Sequence, residues 1–342
     1  MRVAAKLCIR FQIFSLNACD ELVGEGLTTA CVLLLEEFEN LKFINLRGCL
    51  SLVRMPSISC IQNLEELILY DCKNLEHVHD SVANHRKLWM LNLGNCSKLQ
   101  RFPNIPNKNK NLREIDLRHT SIEELPTSIG NLVSLKEMEL SDCEKLTVLP
   151  SSIYKLQHLE SLRLNGCSQL IKFPKEKEED LSEPHTMTGF PKLKLLSLSG
   201  CFLPEVEFLE NLSYFSSLRY LYLSRNNFTN LPTCEKLYNL KELDVSDCQQ
   251  LQEIPKIPEK LRRLEANRCK SLSRIPSNLQ DVEAVELYSC QELVRRFPTN
   301  DSFNFENSSS LLNYKDHPMK NFNNTCSSSY KILNNTCPVS TN

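Results

Sequence analysis

No apolar run in these 342 residues approaches the roughly 18 that suggest a membrane-spanning helix, and the chain reads as soluble. A charge of one sign is lacking too. With 40 basic and 42 acidic residues the formal net charge is -2, which offers no global field for nucleic acid or anionic lipid. The eight glycines form no G-x-x-x-x-G-K-[ST], G-x-G-x-x-G or G-x-S-x-G, so there is neither a backbone cradle for phosphate nor an activated serine. Sixteen cysteines are present without one C-x-x-C pair, which removes the commonest zinc-ligand spacing. The nearest approach is Cys72 with His77 and His79. His79 stands where other repeats carry proline and His77 falls on an exposed turn, so no metal is expected. Neither a cofactor nor catalysis is expected from this inventory.

At the start, Arg2 and Lys6 precede an apolar stretch, but Arg10 and Gln12 interrupt it. A secretory signal core tolerates no full charge there, and a cytoplasmic chain is expected. The sequons at Asn95, Asn211 and Asn227 do not reverse this, because such triplets arise often by chance.

What the chain has is a repeat. The phrase Leu41-x-x-Ile44-x-Leu46-x-x-Cys49-x-x-Leu52-x-x-Met55-Pro56 recurs with its first position at Leu41, Leu64, Leu88, Leu112, Leu135, Leu159, Leu193, Leu218, Leu240, Leu261 and Val282. Most steps are 21 to 25 residues, the period and pattern of leucine-rich repeats. Alternation at Ile44 and Leu46 makes a short strand with one buried face, and the leucine-and-proline half returns the chain along the opposite side. A lone coil buries about six apolar side chains at ~1.5–3 kcal/mol each, against ~1–2 kcal/mol of backbone ordering for each of its residues. It cannot fold alone. Stability must come from stacking, and the expected fold is an α/β leucine-rich-repeat solenoid of about eleven repeats, residues 32–298, with a curved parallel sheet on its concave face and an irregular or short-helical convex side.

Leu159 to Leu193 spans 34 residues and contains Lys175-Glu-Lys-Glu-Glu-Asp180-Leu-Ser-Glu-Pro184, read as a charged insert at 175–190 forming a solvated surface loop. From Thr299 onward 18 of 44 residues are Asn or Ser, and a poorly ordered tail over 299–342 is expected. Residues 32–40 read as the end of an earlier coil. Residues 1–31 are unassigned, although Phe11-x-x-Phe14-x-Leu16-x-x-Cys19 is readable as one degenerate repeat.

Nine cysteines share one repeat position: Cys49, Cys72, Cys96, Cys143, Cys167, Cys201, Cys248, Cys269 and Cys290. Thr120 and Asn226 hold the same place in the remaining two repeats, so the position takes compact residues able to hydrogen-bond at the buried turn after the strand. This is a structural ladder of reduced thiols, as suits a reducing compartment.

Strand positions pointing away from the core form the concave face. In the fourth and fifth repeats they are Glu114, Asp116, Glu137 and Glu139, with Arg118 and His119 at one edge. In the seventh and eighth they are Leu195, Tyr220 and Tyr222, bordered by Arg225, and the first two repeats add Phe43, Ile68 and Tyr70. Aromatics with arginine are frequent anchors of protein interfaces, so this face is the candidate surface for a protein partner; each residue taken singly also reads as an ordinary strand residue.

The phrases Phe38-Glu-Asn-Leu41-Lys-Phe-Ile-Asn-Leu46, Leu64-Glu-Glu-Leu-Ile-Leu69, Thr127-Ser-Ile-Gly-Asn-Leu132 and Leu251-Gln-Glu-Ile-Pro255 resemble plant intracellular immune receptors of the nucleotide-binding leucine-rich-repeat class, in its Toll-type branch. The resemblance covers about residues 32–298. It implies an array that senses a pathogen effector or a guarded host protein, and that helps hold a nucleotide-binding switch domain off. The Toll-type and nucleotide-binding domains are absent from this sequence, which therefore looks like a fragment, a truncated product or a stand-alone array. A constitutive cytosolic scaffold resembling the Ras-interacting leucine-rich-repeat proteins stays open.

Overall fold

Each coil can hold a strand of only about three residues, because the chain must turn back every two dozen residues to bring the next coil alongside. The computed structural model describes residues 6–8, 13–15, 41–174 and 189–296. The expected tail, most of the charged insert and residues 32–40 lie outside the described residues.

Near the start lie β1 (Lys6–Cys8) and β2 (Ile13–Ser15). The repeat strands follow: β3 (Phe43–Asn45), β5 (Glu66–Ile68), β7 (Met90–Asn92), β8 (Glu114–Asp116), β9 (Glu137–Glu139) and β10 (Ser161–Arg163). They continue as β11 (Leu195–Ser197), β12 (Tyr220–Tyr222), β13 (Glu242–Asp244), β14 (Arg263–Glu265) and β15 (Ala284–Glu286). All join one 13-stranded sheet in chain order, interrupted in sequence only by β4 (Arg54–Met55) and β6 (His77–Val78), which pair with each other in a second sheet, so that His77 is exposed on a strand and not on the expected turn. From β2 onward every pair is parallel, and only β1 with β2 is antiparallel. β2 sets Phe14 opposite Ile44, which supports, as a proposal, a degenerate coil there.

The register puts one apolar residue of every strand in line: Ile44, Leu67, Leu91, Ile115, Met138 and Leu162 in the first six coils, then Leu196, Leu221, Leu243, Leu264 and Val285. All but Val285 are buried in one continuous core that every coil shares with its neighbours. The opposite side is irregular, with 3-10 turns such as Thr127–Asn131 and Ser151–Lys155 behind prolines and one short helix, α1 (Gln291–Arg296), after the last strand.

A left-handed residue bends each strand inward. It stands immediately before the ladder position in every repeat: Gly48, Gly166 and Gly200 in three, and Asp71, Asn95, His119, Asp142, Arg225, Asp247, Arg268 and Ser289 in the others. The bend aims its N–H at the next coil, as in Asp71 to Gly94 O at 2.8 Å and Arg225 to Ser246 O at 2.8 Å. Behind it the ladder side chain reaches the preceding coil. Cys72 Sγ donates to Leu46 O (3.0 Å), Cys167 to Leu140 O (3.2 Å) and Cys290 to Ala266 O (3.0 Å), and Asn226 Nδ2 donates to Leu198 O (2.9 Å). Thr120 is shorter and donates to Leu117 of its own coil at 2.8 Å, while Cys143 bridges back to that same carbonyl at 3.1 Å. The ladder thus gives buried carbonyls at the ends of strands a donor from the next coil.

The long sixth repeat is closed at its neck. Tyr154 Oη donates to Pro174 O (2.7 Å) and Gln157 Nε2 to Gly189 O (3.1 Å), tying down both ends of the insertion. Phe173, Phe190 and Tyr214 pack against Tyr154, with ring centroids 5.0 Å apart for Tyr154 and Phe190, and Phe208 and Phe215 extend the cluster, Phe208 at 4.5 Å from Phe173.

Candidate functional site

Outward residues one strand apart stand about 4.8 Å from their neighbours, so each side chain is walled laterally by the next coil's. This decides which of the expected contact residues are accessible. Phe43, Tyr70, Glu114, Glu139 and Tyr220 are half-buried, and Glu137 and Arg225 are exposed. Ile68, Asp116, Leu195 and Tyr222 are buried. The expectation that Ile68, Asp116, Leu195 and Tyr222 offer contact surface is therefore corrected. They project outward, but their neighbours cover them, and Tyr222 is only 7% accessible. The Tyr222 hydroxyl donates to Glu242 Oε2 at 3.0 Å, and burial followed by this carboxylate pushes its ionisation well above the usual phenol range. Tyr220, one strand position earlier, remains the accessible ring.

The two halves of the face differ electrostatically. Toward the C-terminus the charges neutralise one another. Arg268 forms a bidentate pair with Asp247 (2.7 and 2.6 Å), and Arg263 reaches Glu265 and also Glu286 Oε1 at 2.8 Å. Arg225 stands 3.8 Å from Asp247. In the earlier repeats Asp116 is matched by Arg118 at 2.9 Å, and His119 lies 3.5 Å from Asp142. Glu66, Glu114 and Glu137 form no ion pair among the described residues. Burial raises the pKa of Glu114, with Glu137 and Glu66 adding to it, and burial then Glu65 raise that of Glu66.

A raised folded-state carboxyl holds its proton where the unfolded chain has released it. Stability therefore falls as pH rises through the window between the ordinary carboxylate value and the raised one, and the full cost persists above it. Glu114→Gln is expected to stabilise the chain at neutral pH by less than about 1 kcal/mol after solvent screening, seen as a raised melting temperature, and to confer no gain at pH below the ordinary carboxylate range. Thermal melts at both pH values check this; an equal gain at low pH would rule out a charge origin.

Sequence patterning overlooked Trp89, the single tryptophan, which is half-buried one residue before β7 with its backbone bonded between Glu65 and Arg113. Its place directly after the first leucine of the repeat was the available signal, since that position leads onto the sheet in every coil. Also overlooked was Arg47, whose guanidinium lies 4.8 Å from the Tyr70 ring centroid. The ladder residues Cys49, Cys72, Cys96, Thr120, Cys143, Cys167, Cys201, Asn226, Cys248, Cys269 and Cys290 are all buried. Burial pushes Cys143 up to about 11 and Cys72, Cys201 and Cys248 up to about 12. Among the described residues no three His, Cys, Asp or Glu side chains converge as metal ligands, and no helix is long and apolar enough to cross a membrane.

The family model for leucine-rich repeats of RPS4B-like disease resistance proteins matches residues 84–296. Disease resistance protein RPS4B of Arabidopsis thaliana is 31% identical over 224 residues, covering 65% of this chain and 17% of that protein. TMV resistance protein N of Nicotiana glutinosa is 30% identical over 285 residues, covering 65% of this chain and 25% of its own. The chain thus spans a quarter or less of the length of these relatives. Among solved structures, the functional domain of InlJ from Listeria monocytogenes, described as including a cysteine ladder, superposes with a TM-score of 0.48 at 17% identity, over 81% of this chain and 63% of that one.

Proposed function

Because the chain belongs to the leucine-rich-repeat family of RPS4B-like disease resistance proteins, we propose that it is a non-enzymatic protein-binding module of plant innate immunity. On this reading it senses a pathogen effector or a guarded host protein, restrains a nucleotide-binding switch domain, or does both, in the cytoplasm. One observation carries the proposal. The register sets the outward residues of β7 to β12 in parallel rows on a stiff sheet, so contacts from several coils add without the entropy loss of ordering a loop. Half-buried Trp89, Met90 and Tyr220 lie at or beside this stretch, and tryptophan and tyrosine anchor interfaces at low conformational cost.

The test is cross-linking from the face itself, with a photoreactive side chain at Tyr220 or Glu137 and a control at Tyr238, applied in plant extract with and without pathogen challenge. A partner captured from the face but not from the control, and only after challenge, fits a receptor. Capture irrespective of challenge fits the constitutive scaffold. Alanine at Tyr220 should weaken the captured complex by at least ~2 kcal/mol, roughly thirtyfold. If Tyr220→Ala with Trp89→Ala, at unchanged melting temperature, binds within about threefold of wild type, the aromatic anchors are wrong. An NAD-consumption assay on the purified chain tests the non-enzymatic reading, which measurable turnover would refute.

A further inference from the structure

The residue that follows the first leucine of each repeat lies at the margin where the chain enters the sheet. In four consecutive coils this residue is Lys194, Arg219, Lys241 and Arg262. Backbone bonds hold them side by side: Arg219 N donates to Lys194 O, Lys241 N to Arg219 O and Arg262 N to Lys241 O, each at 2.8 Å. Four cations therefore stand one strand spacing apart, about 4.8 Å between backbones, where like charges in neighbouring strands repel. Only the ends of the row are neutralised, Lys194 by Glu160 at 2.5 Å and Arg262 by Glu283 at 3.7 Å. Arg219 and Lys241 have no ion pair among the described residues, and neither is buried. Part of this row and Lys260 line an open hollow of about 330 Å³.

None of the four side chains belongs to the hydrophobic core. We propose that this basic rim is a docking surface for an acidic protein segment lying across the strands, with carboxylates set against Arg219 and Lys241. A protein fits better than a nucleic acid. Glu259, Asp281 and Glu283 line the same hollow and Glu242 follows Lys241 directly, so a continuous phosphate backbone meets repulsion that a segment with interspersed cations avoids. The inference rests on the chain being a protein-binding module, and it does not need the aromatic anchors.

The experiment titrates the full chain with a fluorescent Glu-rich peptide carrying interspersed lysines at net negative charge, its Gln-for-Glu counterpart and a single-stranded oligothymidylate of equal length, at low and physiological ionic strength. The glutamate peptide should bind at low ionic strength and weaken with salt, and the glutamine peptide should not bind. Arg219→Glu with Lys241→Glu, at unchanged circular dichroism, should lose roughly tenfold or more, while the same charge reversal at exposed Arg101 and Lys145, away from the row, should stay within about twofold. Binding unaffected by the charge reversal, equal binding of the glutamine peptide, no binding of the glutamate peptide, or preference for the oligonucleotide overturns the proposal. Equal loss from the Arg101→Glu, Lys145→Glu reversal would mean that net charge and not the rim sets binding, and overturns the proposal; the protein-binding reading itself is decided separately, by capture from Tyr220 and Glu137.

Discussion

Gly189→Ala is expected to destabilise the chain by about 3 kcal/mol or more, since φ of +115° is a backbone region essentially closed to side-chain-bearing residues. Sterics add to the backbone cost. A Cβ there would lie 2.8 Å from Tyr214 Cα and 2.9 Å from Tyr214 Cβ, and backbone cannot swing aside as a flexible tip would. Gly189 also presents its carbonyl to Gln157, so a shift would loosen one end of the neck that closes the long repeat. The control is Gly200→Asn. Its φ of +72° lies in the left-handed region that Asn95 adopts at the equivalent place, and an added Cβ meets nothing nearer than 3.6 Å. That variant should change stability by no more than about 1 kcal/mol. Chemical denaturation of both proteins checks the pair; if Gly189→Ala melts with wild type, the neck is not held as described.

Thiol labelling should separate the cysteines by orders of magnitude. The thiolate is the attacking species, and raising a thiol from 9.0 to about 12, as burial does to Cys72, Cys201 and Cys248, lowers its thiolate fraction on the order of a thousandfold at mildly alkaline pH. Exclusion of the reagent from the core adds to this. Cys60, which is exposed, should alkylate in the native protein, while the ladder positions wait for denaturant. Peptide mapping after brief alkylation reads each site separately. Modification of Cys143 or Cys167 at the rate of Cys60, or a disulfide between two ladder positions, would contradict the register. The protection follows from the fold, because the thiols from Cys72 to Cys290 are held beneath strand ends by bonds to the neighbouring coil.

The repeat, its register and the ladder were legible in the sequence because each depends on a local rule met many times. Ile44 and Leu46 alternate, Cys49 follows three residues later, and the return half ends at Met55-Pro56; stacking such coils leaves one arrangement that buries every leucine. The family likeness was legible for the same reason. The ladder's hydrogen bonds to the preceding coil were not, since the partner carbonyl lies in another repeat and depends on the bend between them.

Accessibility on the outward face belonged to the tertiary structure alone. The alternating pattern states that Tyr220 and Tyr222 point the same way, but not that Tyr222 is covered and bonded to Glu242 while Tyr220 stays accessible. That difference comes from which side chains stand one coil away. Electrostatics divided in the same manner. Nearly balanced composition hides an early set of unpaired glutamates, a neutralised later half and a row of cations at the rim, because pairing depends on neighbours some 20 residues distant in sequence and about 4.8 Å apart in space. Sequence by itself determined the coil and its repetition, since these rest on the periodic burial of leucine; only the stacked structure decided which charges and aromatics remain for a partner, since that depends on contacts between coils.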